Sequence, residues 1–252
     1  MASAVSIGLL PRLTSGPAAV TRATRRLARA LVFALDAFGT DEPPVEGPEQ
    51  ARRLAWIAEN VCALHGVRVV VRGRPPEAPA VLVGNHLGYL DPPALCSVAP
   101  AIPIGKRELG SWPGIGERMR DHGVLLVDRD DPYSGARVLR RALRLLRSGV
   151  SVLTFPEGTT TRGDEVLPFK RGVFGVARRA AVPVVPVAVR FRPTELCWVG
   201  DTWFLPHYLR TTAHPSARVE LHFGAPIDPS SCSPEALAEK ARSWVRATLA
   251  ST

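Results

Sequence analysis

Apolar and polar positions along the chain follow two periods, one typical of buried strands and one typical of amphipathic helices. The strand-type runs are short, rich in Val and bounded by Gly, Pro or charged residues. They predict strands over residues 67–71, 81–83, 101–106, 123–129, 150–155, 182–191 and 218–223. The helix-type stretches predict helices over residues 17–38, 48–65, 92–98, 133–148, 170–181 and 233–249.

Strands and helices alternate from residue 67 onward, which is typical of α/β proteins. We therefore expect a mostly parallel central sheet with helices on both faces, preceded by an N-terminal helical pair. A Pro-rich stretch from residue 40 to residue 47 separates the first helix from the rest. We accordingly expect an N-terminal segment over residues 1–47 and one domain over residues 48–252.

The helix predicted over residues 17–38 is basic and amphipathic, with Arg22, Arg25, Arg26 and Arg29 on one side of the pattern. Such a helix is typical of a segment that docks on an anionic membrane surface. The same pattern also suits a helix that packs on its own domain, and the sequence leaves both alternatives open. Residues 1–16 put their charge on the wrong side for a secretory signal peptide.

The formal net charge is +9, which indicates an anionic partner. Lipid is favoured over nucleic acid, because the chain carries no helix-turn-helix, zinc-finger or ribonucleoprotein signature. Arginine richness can equally reflect genome composition, since Lys106, Lys170 and Lys240 are the only lysines. No apolar run reaches the length of about 18 residues that a membrane span requires. The four cysteines are widely spaced, which argues against a metal site.

His86 and Asp91 follow the strand predicted over residues 81–83 and are the leading catalytic candidates. An imidazole titrates near neutral pH, so a histidine beside a carboxylate suits a general base whose tautomer is held. Asp91 precedes Pro92, and an aspartate before a proline is also a typical N-cap of a helix. The two roles are compatible, and the sequence does not separate them.

Two further loops follow predicted strands, and ligands in parallel sheets bind at the carboxyl ends of strands. One loop contains Arg129, and the other contains Glu157. The alternatives are an ion pair of Arg129 with a neighbouring aspartate and a plain turn at residues 156–158. Lys106 also ends a predicted strand, where it suits either a phosphate contact or an ordinary surface position.

Four blocks in order resemble the glycerolipid acyltransferases, the family of 1-acylglycerol-3-phosphate acyltransferases. The blocks are Asn85-His86 with Asp91, residues 123–129, residues 155–159 and residues 184–187. In that family the first block reads Asn-His-x4-Asp and the second Gly-x-x-Phe-Val/Ile-x-Arg. The third reads Phe-Pro-Glu-Gly-Thr, and the fourth is an apolar strand with an internal proline.

The chain departs from the family pattern at three places. Leu126 replaces the usual Phe, Gly88 stands where Ser is frequent, and Thr160 stands where Arg is frequent, with Arg162 two residues further on. These differences bear on the acceptor more than on the reaction.

The resemblance implies an O-acyltransferase that moves a fatty acyl group from acyl-CoA or acyl carrier protein to a lysophospholipid hydroxyl, turning 1-acylglycerol-3-phosphate into phosphatidate. His86 would be the general base and Asp91 its orienting partner. The residues implied to bind substrate are Arg129, Phe155, Pro156, Glu157, Gly158, Thr159, Lys106 and Arg162. The acyl donor is a co-substrate, and no cofactor or metal is expected.

Other functions remain open. Within the class, the acceptor could be another lysolipid such as lyso-ornithine lipid. Outside it, the chain could be a catalytically idle module that binds anionic lipid, or a hydrolase in which His86 activates water. The expected location is peripheral, at the cytoplasmic face of the membrane.

Overall fold

A computed structural model describes residues 16–38, 46–111, 116–128, 130–200 and 202–251. In this part of the chain, seven strands form one sheet in the order β1-β7-β6-β2-β5-β3-β4. The strands are β1 Val67–Arg72, β2 Val81–Gly84, β3 Ala101–Lys106, β4 Leu125–Val127, β5 Ser151–Thr154, β6 Val184–Arg192 and β7 Ala217–Phe223. The α-helices are α1 Pro17–Phe38, α2 Pro48–His65, α3 Asp91–Cys96, α4 Gly116–Asp121, α5 Ser134–Arg147, α6 Gly172–Ala180, α7 Phe204–Ala213 and α8 Pro234–Ala250.

The sheet is mostly parallel, which confirms the predicted fold class. Strand β2 pairs in parallel with β5 and β6, β3 pairs in parallel with β5, and β4 pairs in parallel with β3. Strands β7 and β1 run in the opposite direction, because β7 is antiparallel to β6 and parallel to β1. Strands β2 to β6 therefore end at one common edge, which we call the carboxyl edge.

Helices cover both faces of the sheet, as alternation along the central strands requires. Leu82 packs in one core together with residues of α2 and α3. Its neighbours Val81 and Val83 point the other way, into a second core formed with α5, α6 and α8. Both cores leave the carboxyl edge open, so loops that follow β2 to β5 lie side by side there.

Helices α1 and α2 form the predicted N-terminal pair, and α1 packs on both α2 and α7. Two of its four clustered arginines are used inside the molecule. Arg22 Nε donates to the carbonyl oxygen of Ala213 at 2.9 Å, and Arg26 Nη1 donates to those of Thr212 and His214 at 3.0 and 2.6 Å. These bonds cap the C-terminal end of α7, where carbonyl oxygens lack partners within the helix. Two of the four arginines of the predicted basic face therefore stabilise the fold. The predicted boundary between an N-terminal segment and a domain at residue 47 stays a prediction.

Several local predictions are confirmed, and others are wrong. Helix α2 ends at Gly66 in a left-handed conformation, and Ser233 caps α8 by accepting from the backbone of Ala236, both as predicted. Helix α7 was missed, because it has Pro206 in its first turn and mixes apolar residues with His207, Arg210 and two threonines. Helix α6 begins at Gly172, so Lys170 lies in the preceding turn rather than in the predicted helix. Across the described residues, no helix combines the length and apolarity needed to cross a bilayer.

Candidate active site

The loop that carries His86 starts from a fixed point, because Asn85 ties the end of β2 to β6. Its buried side chain donates from Nδ2 to the carbonyl oxygen of Val189 at 2.9 Å. Its Oδ1 accepts from the backbone N–H of Val189 at 2.8 Å. Both amide groups are thus satisfied inside the core, where an unpaired polar atom would be costly. Asn85 therefore acts as an anchor for the loop, a role that the pattern of residues did not reveal.

His86 and Asp91 are in direct contact, with His86 Nδ1 2.6 Å from Asp91 Oδ2. The same oxygen accepts from the backbone N–H groups of Leu87 and Gly88 at 2.6 and 3.0 Å. Asp91 is fully buried, whereas the His86 side chain is 22% exposed. A neutral imidazole carries one N–H, and the carboxylate holds it on Nδ1, which leaves the lone pair on Nε2.

Asp91 is not the N-cap of the helix that follows it. The cap position belongs to Leu90, and α3 begins at Asp91 itself. Because the carboxylate is used by the loop behind it, it turns back to His86 rather than to the first turn of α3. Its second oxygen, Oδ1, is buried without a hydrogen-bond partner.

The loop after β5 holds the His86 ring from the other side. Phe155 stacks on the imidazole with ring centroids 4.3 Å apart and planes 10° from parallel. The backbone N–H of Thr161 donates to the carbonyl oxygen of His86 at 2.8 Å. Two neighbouring parallel strands, β2 and β5, thus bring together segments about seventy positions apart, as the strand-end argument predicts.

Glu157 is buried, with 6% of its surface exposed, and its Oε2 accepts from the backbone N–H of His86 at 3.4 Å. Its Oε1 is buried without a partner. Burial raises the pKa of Glu157 to about 7, and the bond from His86 opposes this increase. The Glu157 carboxyl group, which contacts the backbone of His86, therefore changes its charge near neutral pH.

Lys170 lies beside the same loop and was not singled out from the sequence as a site residue. Its backbone N–H donates to the carbonyl oxygen of Pro156 at 3.0 Å. A Cβ atom placed on Gly158, whose φ is +75°, would lie 2.7 Å from Lys170 Nζ. The Phe-Pro-Glu-Gly-Thr turn therefore carries an exposed ammonium group at its glycine. One feature of the sequence points to Lys170. Thr160 stands where the family frequently has an arginine, so another residue has to supply the positive charge.

The remaining predicted site residues are placed less closely. Lys106 ends β3 at the carboxyl edge and is exposed, two strand spacings or about 10 Å from β2. Arg129 lies outside the described residues, but β4, which precedes it, ends at the same edge. Thr159 is exposed in the loop after β5. Arg162 lines a cavity of about 230 Å³ that also touches Leu87 of the catalytic loop.

The aromatic segment over residues 198–207, for which the sequence predicts a cover on the sheet edge or an apolar groove, packs on the loop that carries His86. The backbone N–H of Trp198 donates to the carbonyl oxygen of Leu87 at 2.8 Å. The Tyr89 hydroxyl contacts His207 Nδ1 at 3.0 Å and Thr211 Oγ1 at 2.9 Å, both on α7. The loop is thus fixed on three sides, by β6, by the β5 loop and by α7.

Fold and site together describe an α/β enzyme with a histidine–aspartate pair at the carboxyl edge of its sheet. Among the described residues, no cluster of three or more His, Cys, Asp or Glu side chains is arranged to hold a metal ion. The His86 side chain is partly exposed at this edge, and Lys106 and Lys170 are exposed in the segments that end or follow neighbouring strands. This arrangement is suited to removing a proton from a hydroxyl group or from water.

Comparisons with known proteins identify the family. The family model described as Acyltransferase matches residues 47–190. The lyso-ornithine lipid O-acyltransferase of Pseudomonas aeruginosa is 30% identical over 210 residues, which is 81% of each chain. The human 1-acyl-sn-glycerol-3-phosphate acyltransferase alpha is 41% identical over 148 residues, 56% of this chain and 52% of that protein. The crystal structure of the 1-acyl-sn-glycerophosphate acyltransferase PlsC from Thermotoga maritima superposes with a TM-score of 0.68 at 22% identity, covering 92% of this chain and 95% of that one.

The chain belongs to the acyltransferase family, within the group of glycerolipid acyltransferases, as the four sequence blocks predict. It is an enzyme of the lysolipid acyltransferase type. The fold of the Thermotoga protein agrees with the sheet described here over nearly the whole chain.

Proposed function

We propose that this enzyme transfers a fatty acyl group from a thioester donor to a hydroxyl of a lysophospholipid, with His86 as general base. The observation that carries the proposal is the contact of 2.6 Å between His86 Nδ1 and Asp91 Oδ2 at the carboxyl edge. The expected acceptor is 1-acylglycerol-3-phosphate, and the product is phosphatidate. The name of the human relative supports this acceptor over the half of the chain that it matches.

The reaction needs a nucleophile and a proton carrier, and the site provides for both. His86 Nε2 accepts the proton of the acceptor hydroxyl while that oxygen attacks the thioester carbonyl carbon. Asp91 keeps the other proton on Nδ1 and stabilises the positive charge that the ring acquires. The tetrahedral intermediate then expels the thiolate, and the imidazolium returns its proton to the sulfur. No enzyme-bound acyl group is formed in this sequence.

The acceptor phosphate requires cations near the reacting hydroxyl. Lys106 and Lys170 lie at the carboxyl edge, and Arg129 follows β4 at that edge in the sequence. We assign Arg129 to the phosphate, and we assign to Lys170 the role of the arginine that is frequent at the position of Thr160 in the family. We assign residues 155–159 to the acceptor site as well, because Phe155 stacks on the His86 ring and Glu157 accepts from the backbone N–H of His86.

A second acceptor is favoured by one specific observation. The Pseudomonas aeruginosa relative, which matches over 81% of each chain, is named a lyso-ornithine lipid O-acyltransferase. Lyso-ornithine lipid has an amine headgroup and no phosphate, so it would not need an arginine at Thr160. A panel of 1-acylglycerol-3-phosphate and lyso-ornithine lipid with one acyl donor separates the two acceptors.

We also propose that the enzyme works peripherally, at the cytoplasmic face of an anionic membrane. The outer face of α1 exposes Val20, Leu31 and Val32, and Arg25 and Arg29 are exposed on the same helix. Apolar side chains flanked by arginines suit the interface between lipid headgroups and acyl chains. Trp203, which is 82% exposed at the start of α7, adds a side chain of the type found at such interfaces.

The test of the proposed function is a transfer assay with labelled acyl donor and lysophospholipid vesicles. His86→Ala is expected to lose at least 100-fold in kcat, within the range of about 10²–10⁴ that a positioned base contributes. His214→Ala, a histidine that bonds a neighbouring backbone oxygen away from the site, is the matched control. Full transfer by His86→Ala would exclude the mechanism. Vesicle binding without turnover on either acceptor would identify an idle lipid-binding module, and thioester loss without acylated lipid would identify a hydrolase.

A further inference from the structure

The outer face of α5 carries five exposed arginines, Arg137, Arg140, Arg141, Arg144 and Arg147. Their spacing of three and four residues puts them on one side of the helix, directly away from the buried Ala142 and Leu146. The helix sequence contains no Asp or Glu. Like charges at these spacings destabilise a helix, so the arrangement is unfavourable for a face that meets only water.

Helix α6 extends this face with two more exposed arginines. It packs beside α5, and Arg147 donates to the carbonyl oxygen of Arg179 at 3.3 Å. Arg178 and Arg179 are both exposed. We call these seven residues of α5 and α6 the arginine surface.

The arginine surface reaches the carboxyl edge at its N-terminal end. Helix α5 follows β4, and a cavity of about 380 Å³ lies where the two meet. Arg137 and Arg141 line this cavity, together with Arg107 and Asp128 from the ends of β3 and β4. A ligand that enters there is three strand spacings, about 14 Å, from the end of β2 and His86.

Most of the large apolar side chains that are exposed lie on α1, α2 and α7, away from the arginine surface, whereas Tyr133 directly precedes α5. Helices α5 and α6 pack on the face that α8 also covers, whereas α2 and α3 cover the other. Helix α1 packs on α2 and α7, and this side exposes Leu31, Val32 and Trp203. If the apolar side contacts the bilayer, the arginine surface points to the aqueous phase. Its partner is then a soluble anionic molecule rather than the membrane.

We propose that the arginine surface docks an acidic acyl carrier protein, which presents its thioester to His86 along the carboxyl edge. The proposal rests on the proposed function and specifies its acyl donor. Charge complementarity carries it, because carboxylates on a carrier helix would pair with the six arginines of this surface other than Arg137, which already forms an ion pair with Asp131. The flexible arm of such a carrier bears the thioester and would cross the distance between the cavity and β2. Acyl-CoA has no protein surface of this kind to dock.

The test compares two donors with the same acyl chain, palmitoyl-acyl carrier protein and palmitoyl-CoA. The variant is Arg140→Glu/Arg144→Glu, whose new carboxylates face the remaining arginines of α5 and so favour the helix. The matched control is Arg68→Glu/Arg74→Glu, with the same change in charge at two exposed arginines of β1 and the turn after it. These lie at the far side of the sheet. The readout is the ratio of kcat/KM for the carrier donor to that for the CoA donor.

We expect the Arg140→Glu/Arg144→Glu variant to lower this ratio at least ten-fold at low ionic strength, through the KM of the carrier donor. The control should change the ratio less than two-fold, and added salt should reduce the difference between the two variants. An unchanged ratio would overturn the proposal. Equal losses with both donors together with weaker binding to anionic vesicles would also overturn it, in favour of a membrane contact. Wild-type enzyme that uses only acyl-CoA would overturn it too, whereas transfer from neither donor would refute the proposed function instead.

Discussion

Trp198 packs directly on Gly88, the residue two positions after His86. A Cβ atom added at Gly88 would lie 3.2 Å from both the backbone nitrogen and the Cβ of Trp198. Ser is frequent at this position in the family, and the close contact with Trp198 gives a physical reason for its absence here. The segment that contains Trp198 packs so closely on the loop that a side chain at Gly88 would require it to shift by a few tenths of an ångström.

Substitution of Gly88 by Ala should therefore strain the catalytic loop. We expect Gly88→Ala to lower the free energy of unfolding by about 1–3 kcal/mol, the usual effect of overpacking. Because the Gly88 N–H also binds Asp91 Oδ2, kcat should fall as well. Thermal unfolding and the transfer assay measure the two effects. Gly175→Ala, at a helical position with no atom within 4 Å of the added Cβ, is the control and should not be destabilised.

Asp91→Asn should reduce kcat by about 10²–10⁴-fold with a small effect on KM, because an uncharged amide stabilises the imidazolium less than a carboxylate does. The measurement is steady-state kinetics, with circular dichroism to verify the fold. The double variant His86→Ala/Asp91→Asn should be no slower than His86→Ala, since Asp91 acts through the ring. Independent, multiplicative losses would contradict this positioning role.

The stability of the enzyme should depend on the ionisation of Glu157. Burial raises the pKa of Glu157 from the ordinary 4.5 to about 7, so folding favours the protonated form. The wild type therefore loses stability as pH rises from about 4.5 to 7, and Glu157→Gln lacks this loss. From pH 4.5 to pH 8, the stability of Glu157→Gln relative to wild type should increase by up to about 3 kcal/mol.

Denaturant unfolding at both pH values measures this difference. Glu165→Gln, an exposed glutamate in the same loop, is the matched control. If Glu157→Gln and the control show the same dependence on pH, the buried carboxyl is not the source of the effect.

Two adjacent arginines of α1 should behave differently. Arg26 bonds the carbonyl oxygens of Thr212 and His214, whereas Arg25 is exposed. We expect Arg26→Ala to cost about 1–3 kcal/mol of stability, because charged hydrogen bonds to the end of α7 are lost. Arg25→Ala should change stability by less than about 0.5 kcal/mol but weaken binding to anionic vesicles. Thermal unfolding and vesicle co-sedimentation give the two readouts, and an equal loss of stability in both variants would refute the capping role.

The bounds predicted from the sequence were most accurate for elements whose apolar pattern reflects which residues are buried. Helices α1 and α2 and strand β3 have the predicted bounds, because their apolar spacing and their Pro and Gly boundaries act locally. The His86 and Glu157 loops were correctly expected at one edge, since parallel strands place their ends together. The N-cap role that the sequence left open for Asp91 is not observed, and Lys170, α4 and α7 were missed. These features depend on residues that are close in the folded structure but distant in the sequence, so the local sequence does not determine them.

The sequence alone therefore determined the α/β class, the strand-end position of the catalytic candidates and, through four motif blocks, the family. The tertiary structure decided what each polar group binds. It turned the Asp91 carboxylate back to His86, paired Arg22 and Arg26 with α7, and buried Glu157 deeply enough to raise its pKa to about 7. Periodicity records whether a side chain faces the core or water. Hydrogen-bond partners and local desolvation depend on segments that meet only when the sheet is assembled.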